Sequence, residues 1–200
     1  MCHIYITHFQ EPEKLKHTAE HQVGLSLLSK ALEDLYEICI PASEIEAHLE
    51  TNPYGKPHLK GYPDIHFNIS HSRQTAVCAV SSDVIGVDIE EIREYFPPVL
   101  RKVFTEEERT FFERMSVSED AAQEWFFRFW TLKESRIKFA GMGLAMALTD
   151  FSFSFDTTTD PYRITCSDPG LFFHQRILAD NYVLSLCSGS VLNQISITWI

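Results

Sequence analysis

The spacing of apolar and polar residues in the first half of the chain predicts one long helix among several strands. Apolar residues recur every three or four positions over residues 20–36, which predicts a helix, and alternation over residues 4–9 predicts a strand. Ser43 and Glu46 have the spacing of a capping box and predict the start of a short helix. Three further strands are predicted, over residues 65–69, 76–80 and 85–90.

The second half has the same mixture of elements. Thr105 is placed to cap a helix that opens with three glutamates, and Ser118 is placed to cap a longer helix that Gly141 ends. Five strands are predicted, over residues 151–155, 162–166, 172–178, 182–187 and 195–200. Helix plus antiparallel strands in each half predicts an α+β fold with two similar lobes, divided into residues 1–91 and 92–200.

Composition and charge narrow the class of protein. In 200 residues, 44% are hydrophobic and 22% charged, which is typical of a globular chain. The net charge of −11 disfavours broad contact with nucleic acid or an anionic membrane. No apolar run approaches the ~18 residues that span a bilayer, and the first residues do not resemble a secretion signal. Five cysteines without a C-x-x-C pair indicate buried, reduced thiols, so we expect a cytoplasmic protein.

Two carboxylates lie two residues apart in a predicted strand. Asp88 and Glu90 alternate with apolar Val87 and Ile89, so both acidic side chains point to one face. Carboxylates that converge in this way can share a hard cation. The alternative interpretation is a polar face in contact with solvent, and the spacing alone does not separate the two.

The long second-half helix carries a row of functional side chains. Trp130, Glu134 and Lys138 are four residues apart and therefore lie on one helical face. An ordinary helical ion pair between Glu134 and Lys138 would explain the spacing equally well. Because aromatic residues surround this face, we expect the glutamate to be buried and to have a partner or a metal.

A third group of polar residues offers contacts for phosphate. Ser70, His71 and Ser72 end a predicted strand, and Lys56 lies in a preceding loop. Simple turn chemistry is the alternative for this Ser-His-Ser segment. A serine hydrolase is disfavoured because no G-x-S-x-G elbow is present.

Together these segments resemble the Sfp-type branch of the 4′-phosphopantetheinyl transferase family, which implies an enzyme of the holo-acyl-carrier-protein synthase type. The segments are Gly55-Lys56-Pro57, Phe67 to Ser72, Gly86-Val87-Asp88-Ile89-Glu90, Phe104 to Glu108, and Trp130-Thr131-Leu132-Lys133-Glu134-Ser135. The resemblance implies two pseudo-symmetric lobes in one chain, each a helix with a small antiparallel sheet. The N-terminal lobe would take the adenosine and 3′-phosphate end of coenzyme A. The C-terminal lobe would supply the signature helix and the Mg²⁺ and carrier-protein side.

The resemblance also implies a reaction. The phosphopantetheine arm of coenzyme A would be transferred to a serine of an apo acyl carrier protein or carrier domain, releasing adenosine 3′,5′-bisphosphate. Asp88, Glu90 and Glu134 would hold Mg²⁺, with Mn²⁺ as an alternative. Glu134 is the first candidate for the general base and Glu108 the second, while Lys138 would neutralise charge on the phosphoryl group.

The remaining assignments concern coenzyme A and the carrier. The expected coenzyme A contacts are Lys56, Pro57, Ser70, His71 and Lys133. His21 stands where family members usually carry an arginine for the 3′-phosphate, with Lys30 and Lys14 as alternatives. Docking of an acidic carrier requires a local basic patch, for which the candidates are Arg93, Arg101, Lys102, Arg128 and Arg136. We expect a monomer. Two other functions fit the same residues: a non-catalytic coenzyme A or carrier-binding module, and a metal-dependent phosphohydrolase.

Overall fold

A computed structural model describes residues 1–10 and 16–200 of the chain. Within these ranges the chain forms eleven β-strands and four α-helices. In chain order they are β1 (Cys2–His8), α1 (Lys16–Tyr36), β2 (Leu49–Thr51), β3 (Pro57–Leu59), β4 (His66–Ser72), β5 (Thr75–Ser81), β6 (Ile85–Glu91), α2 (Leu100–Val103), α3 (Glu106–Met115), α4 (Glu119–Ala140), β7 (Phe153–Asp156), β8 (Arg163–Cys166), β9 (Phe172–Leu178), β10 (Tyr182–Ser188) and β11 (Ile195–Trp199). The predicted mixed α+β class is therefore confirmed.

Two sheets form the body of the molecule. The first has the strand order β11-β1-β5-β4, in which β1 and β11 are parallel and the other pairs are antiparallel. The second has the order β6-β10-β9 and is antiparallel throughout. Two small hairpins, β2-β3 and β7-β8, complete the pairing. Helix α1 packs on the first sheet and α4 on the second, and each sheet buries an apolar core against its helix.

The two sheets contain strands from both sides of residue 91. Strand β6 precedes this position but pairs with β10, and the C-terminal strand β11 pairs with β1. The structure thus has two sheet-and-helix layers, whereas the pseudo-symmetry of two lobes and the division at residue 91 stay predictions. A pattern of local hydrophobicity cannot reveal such exchanges because pairing partners are far apart in sequence.

Side chains join the two sheets where β4 meets β6. Asn68 Oδ1 accepts a hydrogen bond from the Val87 N–H at 2.8 Å, and Ser70 Oγ accepts one from the Ile89 N–H at 3.4 Å. Two residues further along, Ser72 Oγ accepts from the Glu91 N–H at 3.2 Å. The polar side chains of β4 thereby satisfy N–H groups that point away from β10. This joint brings the serines of β4 beside the acidic residues of β6.

Helix α4 begins and ends where the sequence predicts. Ser118 accepts a hydrogen bond from the Ala121 N–H, and Gly141 adopts a left-handed conformation with φ of 64°. The helix lies close to β6 at Gly86, where an added Cβ would overlap the Ser135 carbonyl oxygen and the Phe139 backbone nitrogen. Glycine at this position lets β6 and α4 approach each other.

Two local predictions were wrong. The Ser43–Glu46 segment leads into a 3₁₀ helix, Ile45–His48, whose N-cap is Glu44, and no side-chain cap bond is present there among the described residues. Cys39 is exposed rather than buried, although Cys2, Cys78 and Cys187 are buried as expected, and all five cysteines are free. Within the described ranges, no helix is long and apolar enough to cross a membrane.

Candidate active site

A cavity of about 530 Å³ opens between the turn that joins β2 to β3 and the C-terminal half of α4. Its charged lining residues are Lys56, Lys102, Glu134 and Lys138, and its polar wall includes Asn68. Apolar residues form much of the rest, namely Tyr54, Pro57, Ile137, Met146, Ala147 and Leu148. The cavity therefore combines a carboxylate and three ammonium groups with an apolar wall, and Lys56, Pro57, Glu134 and Lys138 all line it.

Asp88 lies at the polar edge of this site with one oxygen engaged and one left over. Its Oδ1 accepts hydrogen bonds from Ser70 Oγ at 2.8 Å and from Lys138 Nζ at 2.6 Å. Lys138 Nζ also donates to Ser70 Oγ at 2.7 Å, which closes a three-membered network. Asp88 Oδ2 is buried and has no hydrogen-bond partner among the described residues. A buried carboxylate oxygen without a partner is a candidate ligand for a cation.

Glu90, two residues further along β6, belongs to a second network of the same kind. Its Oε2 accepts from Ser72 Oγ at 2.6 Å and from Arg93 Nη1 at 2.8 Å. The Arg93 guanidinium also lies over the Phe127 ring, 4.8 Å from its centroid. Ser72, which the sequence offered as a phosphate contact, instead binds Glu90, and its spacing from Ser70 repeats the two-residue spacing of the carboxylates.

Glu134 faces these carboxylates from α4. Burial, together with the negative charges of Asp88 and Glu90, raises the pKa of Glu134 to about 7. Burial also raises the pKa of Asp88, with Lys138 acting in the opposite direction. Glu134 is thus exposed to the negative charges of Asp88 and Glu90 in a poorly solvated environment, where carboxylates repel one another. A cation would relieve that repulsion.

The residues fit a divalent cation that takes its ligands from protein and substrate together. Among the described residues, no group of three or more His, Cys, Asp or Glu side chains is arranged to hold a metal ion. Mg²⁺ commonly takes one or two carboxylates and completes its shell with water and substrate phosphates. The unpaired Oδ2 of Asp88 and the neighbouring Glu134 carboxyl group supply that smaller set of hard oxygen ligands.

Glu108 and Lys133 lie away from the cavity in a buried ion pair. Lys133 Nζ is 2.8 Å from Glu108 Oε2, and both side chains are fully buried. Lys133 also donates to the carbonyl oxygens of Leu148 and Phe151, at 2.7 and 2.9 Å. Glu108 completes the capping box of α3 with Thr105. This pair anchors α3 and the segment after α4, and sequence spacing alone could not show that Lys133 points to the core.

Lys56 reaches the cavity across the end of α4. Its Nζ donates to the carbonyl oxygens of Ile85 and Phe139, at 3.0 and 3.1 Å. Burial lowers the pKa of Lys56 to about 8. The ammonium group thus closes one end of the cavity while it ties the turn before β3 to β6 and α4.

The two histidines expected to contact coenzyme A, His21 on α1 and His71 on β4, lie away from the cavity. Consecutive strand residues point to opposite faces, so Ser70 faces Asp88 whereas the His71 ring is directed towards α1, with Nδ1 3.5 Å from Glu20 Oε2. His21 Nε2 is 3.2 Å from Glu46 Oε1 in an exposed pair. Lys30 pairs with Asp34 at 2.6 Å, and Lys14 lies outside the described residues. Neither His21 nor His71 lines the cavity.

The candidate basic patch is smaller than expected. Arg93 pairs with Glu90, Arg128 with Glu124, and Arg136 with Asp168. Arg101 and Lys102 of α2 are exposed, and Lys102 also lines the cavity. The residues left for docking are thus these two, of which Lys102 borders the cavity.

Comparison with known proteins agrees with this geometry. The model of the 4′-phosphopantetheinyl transferase superfamily matches residues 84–187, just over half of the chain, which include β6, α4 and all but the last residue of β10. A 4′-phosphopantetheinyl transferase of Bacillus subtilis is 40% identical over 99 residues, covering 50% of this chain and 43% of the relative. The 4′-phosphopantetheinyl transferase gsp of Aneurinibacillus migulanus is 36% identical over 150 residues, covering 74% and 61%.

A more distant group of relatives is eukaryotic. The L-aminoadipate-semialdehyde dehydrogenase-phosphopantetheinyl transferase of Xenopus laevis is 35% identical over 150 residues, covering 68% of this chain and 48% of the relative. Across these three relatives the chain spans about half of their length, from 43% to 61%. With Asp88, Glu90, Glu134 and Lys138 inside the matched segment, the chain belongs to the 4′-phosphopantetheinyl transferase superfamily, in its Sfp-type branch.

Proposed function

We propose that this protein transfers the 4′-phosphopantetheine arm of coenzyme A to a serine of an apo acyl carrier protein or carrier domain. The observation that supports this best is the cavity, which Glu134 and Lys138 line, together with Asp88, which is bonded to Lys138 and keeps one oxygen unpaired among the described residues. Family membership adds that the relatives are named for this transfer. The second product is adenosine 3′,5′-bisphosphate.

The cavity wall suits the two parts of the substrate. Lys56, Lys102 and Lys138 are point charges that pair with phosphate oxygens, and they border the cavity from the β2-β3 turn, α2 and α4. The apolar side chains of Ile137, Met146 and Leu148 offer a surface for the uncharged arm. Ser70 holds Asp88 and Lys138 in place through hydrogen bonds. Pro57 lines the cavity and is proposed to contact coenzyme A there.

Asp88 and Glu134 are the residues we expect to hold Mg²⁺, or Mn²⁺ in its place, with Glu90 close by. When bound, the cation supplies charge neutralisation for the pyrophosphate oxygens and makes the adenosine bisphosphate a better leaving group. Asp88 is fixed in place by Ser70 and Lys138, so its free oxygen is already oriented.

The chemical step exchanges one phosphorus–oxygen bond for another. The carrier serine Oγ bonds to the phosphorus that bears the pantetheine arm, and the bond from that phosphorus to the bridging oxygen of the pyrophosphate breaks. The serine proton passes to a carboxylate, for which Glu134 is the candidate that lines the cavity. Lys138 Nζ is near enough to stabilise charge on the phosphoryl oxygens. Glu108 is not used, because its carboxylate is buried against Lys133.

The oligomeric state, the compartment and the docking surface are proposed from the same structure. Asp88 and Glu134 come from one chain, which supports a monomer as the working unit. Free cysteines, several of them buried, are typical of a reducing compartment, so we place the reaction in the cytoplasm. An acidic carrier would approach the exposed Arg101 and Lys102, of which Lys102 borders the cavity.

The test is intact-mass spectrometry of an apo acyl carrier protein incubated with this protein, coenzyme A and Mg²⁺. The wild type is expected to add one phosphopantetheine group, and Glu134→Ala is expected to add none. Glu107→Ala removes an exposed carboxylate of α3 and serves as the matched control, with activity like the wild type.

Two outcomes would contradict the proposal. Coenzyme A that binds without modification of several carriers would indicate a binding module. Release of phosphate-containing products from coenzyme A in the absence of any carrier would indicate a phosphohydrolase.

A further inference from the structure

Arg93, two residues after the end of β6, binds the Glu90 carboxylate. Its Nη1 donates to Glu90 Oε2 at 2.8 Å and to the Glu91 carbonyl oxygen at 2.9 Å, with Ser72 Oγ at 3.4 Å. The guanidinium plane lies over Phe127, and about a third of the Arg93 side chain is exposed. Contacts with a carboxylate, a carbonyl, a hydroxyl and a ring fix this guanidinium firmly.

The Arg93 contacts repeat the arrangement around Asp88. In both networks a serine of β4 donates to the carboxylate, and a basic side chain bonds to the same carboxylate oxygen. Lys138 plays this part for Asp88, and Arg93 plays it for Glu90. Each of the two acidic residues thus has a cation of its own before any metal ion arrives. Among the described residues no ion pair gives Glu134 such a cation, and burial, together with the charges of Asp88 and Glu90, raises its pKa.

We propose that Arg93 is a positioning residue that holds Glu90 in a neutral pair and keeps the affinity of the site for a free divalent cation low. The cation then binds firmly only together with the phosphates of the substrate. This inference rests on the cation site of the proposed function. It accounts for the finding that Asp88, Glu90 and Glu134 do not form a ready-made metal cluster among the described residues.

The expected consequence is a gain of metal affinity when Arg93 is lost. Removing the guanidinium leaves an uncompensated carboxylate beside Asp88 and Glu134 and frees Glu90 to turn towards the metal. Both effects favour a divalent cation, because like-charged carboxylates in a poorly solvated site are stabilised by a counter-charge. A lysine in place of Arg93 retains the charge and should retain most of the effect.

The experiment measures Mn²⁺ binding to the metal-stripped full chain without coenzyme A, by the electron paramagnetic resonance signal of free Mn²⁺. For Arg93→Met we expect the dissociation constant to fall roughly tenfold, and for Arg93→Lys to stay within about twofold of the wild type. Arg73→Met is the matched control, since Arg73 pairs with the neighbouring Glu91 at 3.3 Å. Its loss removes the same charge without freeing Glu90, and little change is expected.

A double-mutant cycle separates this role from a structural one. If Glu90 mediates the gain, Arg93→Met should produce a much smaller gain in a Glu90→Gln background. Mn²⁺ binding to Arg93→Met that is unchanged or weaker would overturn the inference. Arg93→Gln, which keeps a planar group over Phe127, gives the same test should the methionine variant fold poorly.

Failure of the inference and failure of the proposed function give different results. A wild type that binds no Mn²⁺ even with coenzyme A present would contradict the cation site of the proposed function. A wild type that binds Mn²⁺ as tightly as Arg93→Met and Arg93→Gln would overturn the role of Arg93 alone.

Discussion

Glu134 borders the cavity with a carboxyl group whose pKa is raised to about 7 by burial and by Asp88 and Glu90. In the unfolded chain the same group has its ordinary pKa near 4.5. Between these two values the folded protein retains a proton that the unfolded chain has lost. The free energy of unfolding should therefore fall as the pH rises from about 4.5 to about 7.

This pH dependence yields a prediction for Glu134→Gln. The variant lacks the ionisable group, so without added metal it should be more stable than the wild type at pH 8, by up to about 3 kcal/mol, and nearly equal to it at pH 4. Urea denaturation at the two pH values, with a chelator present, measures the difference. Glu107→Gln, at an exposed site of α3, should show no such pH-dependent gain.

An equal gain at both pH values would contradict the raised pKa of Glu134. Added Mg²⁺ provides an independent check, because a cation bound near Glu134 favours its ionised form. We therefore expect Mg²⁺ to stabilise the wild type more than the variant.

At the scale of single residues, the sequence predicted which side chains share a face better than it predicted which residues each side chain contacts. The i, i+2 spacing of Asp88 and Glu90 and the i, i+4 spacing of Glu134 and Lys138 each determine a shared face, and the structure brings the two faces together. Which way Lys133 points could not be predicted, because it depends on core packing against Glu108 and Phe151.

At the scale of elements, the approach of β6 to α4 depends on Gly86. A methyl group at this position would overlap backbone atoms of Ser135 and Phe139, which cannot move aside as side chains do. Because the same two elements carry Asp88 and Glu134, any displacement also separates the carboxylates. Packing and catalytic geometry are therefore linked at this one glycine.

We predict that Gly86→Ala destabilises the protein by about 3 kcal/mol or more, the upper range for overpacking. Transfer activity should fall as well, because α4 must shift away from β6. Denaturant unfolding monitored by tryptophan fluorescence measures the first effect and the carrier-protein mass assay the second.

Gly189→Ala is the matched control for Gly86→Ala. Its Cβ would lie 3.6 Å from the Phe139 ring, an ordinary van der Waals contact, so a small change in stability is expected. Stability of Gly86→Ala close to that of the wild type would show that α4 is not held as closely as the structure indicates.

Local signals predicted most helix and strand positions, since caps and periodicity act within a few residues. Thr105 forms the capping box of α3, and α4 runs from Glu119 to Ala140. The long-range pairings were not predictable, because the pattern of β11 is the same whether it joins β1 or a strand of the other sheet. The polar joint between β4 and β6 was also missed, because it is built from side chains rather than from a strand ladder.

At the scale of the whole molecule, a net charge of −11 opposes the approach of an acidic carrier protein. Arg101 and Lys102 are exposed on α2, Lys102 lines the cavity, and no ion pair involves either of them in the part of the chain that the structure describes. They form a small positive surface at which, under the proposed function, a carrier protein would dock. Electrostatic attraction at this surface would mainly affect the rate of encounter with the carrier.

The two residues should respond differently to charge reversal. Arg101→Glu should lower kcat/KM for the carrier protein roughly tenfold at low salt and leave the KM for coenzyme A unchanged, with the loss shrinking as salt is added. Lys102→Glu should also raise the KM for coenzyme A, because Lys102 lines the cavity. Arg163→Glu makes the same charge change on β8 and controls for net charge. Steady-state assays that vary each substrate separately would detect the difference, and a rise in the KM for coenzyme A with Arg101→Glu would contradict a docking role.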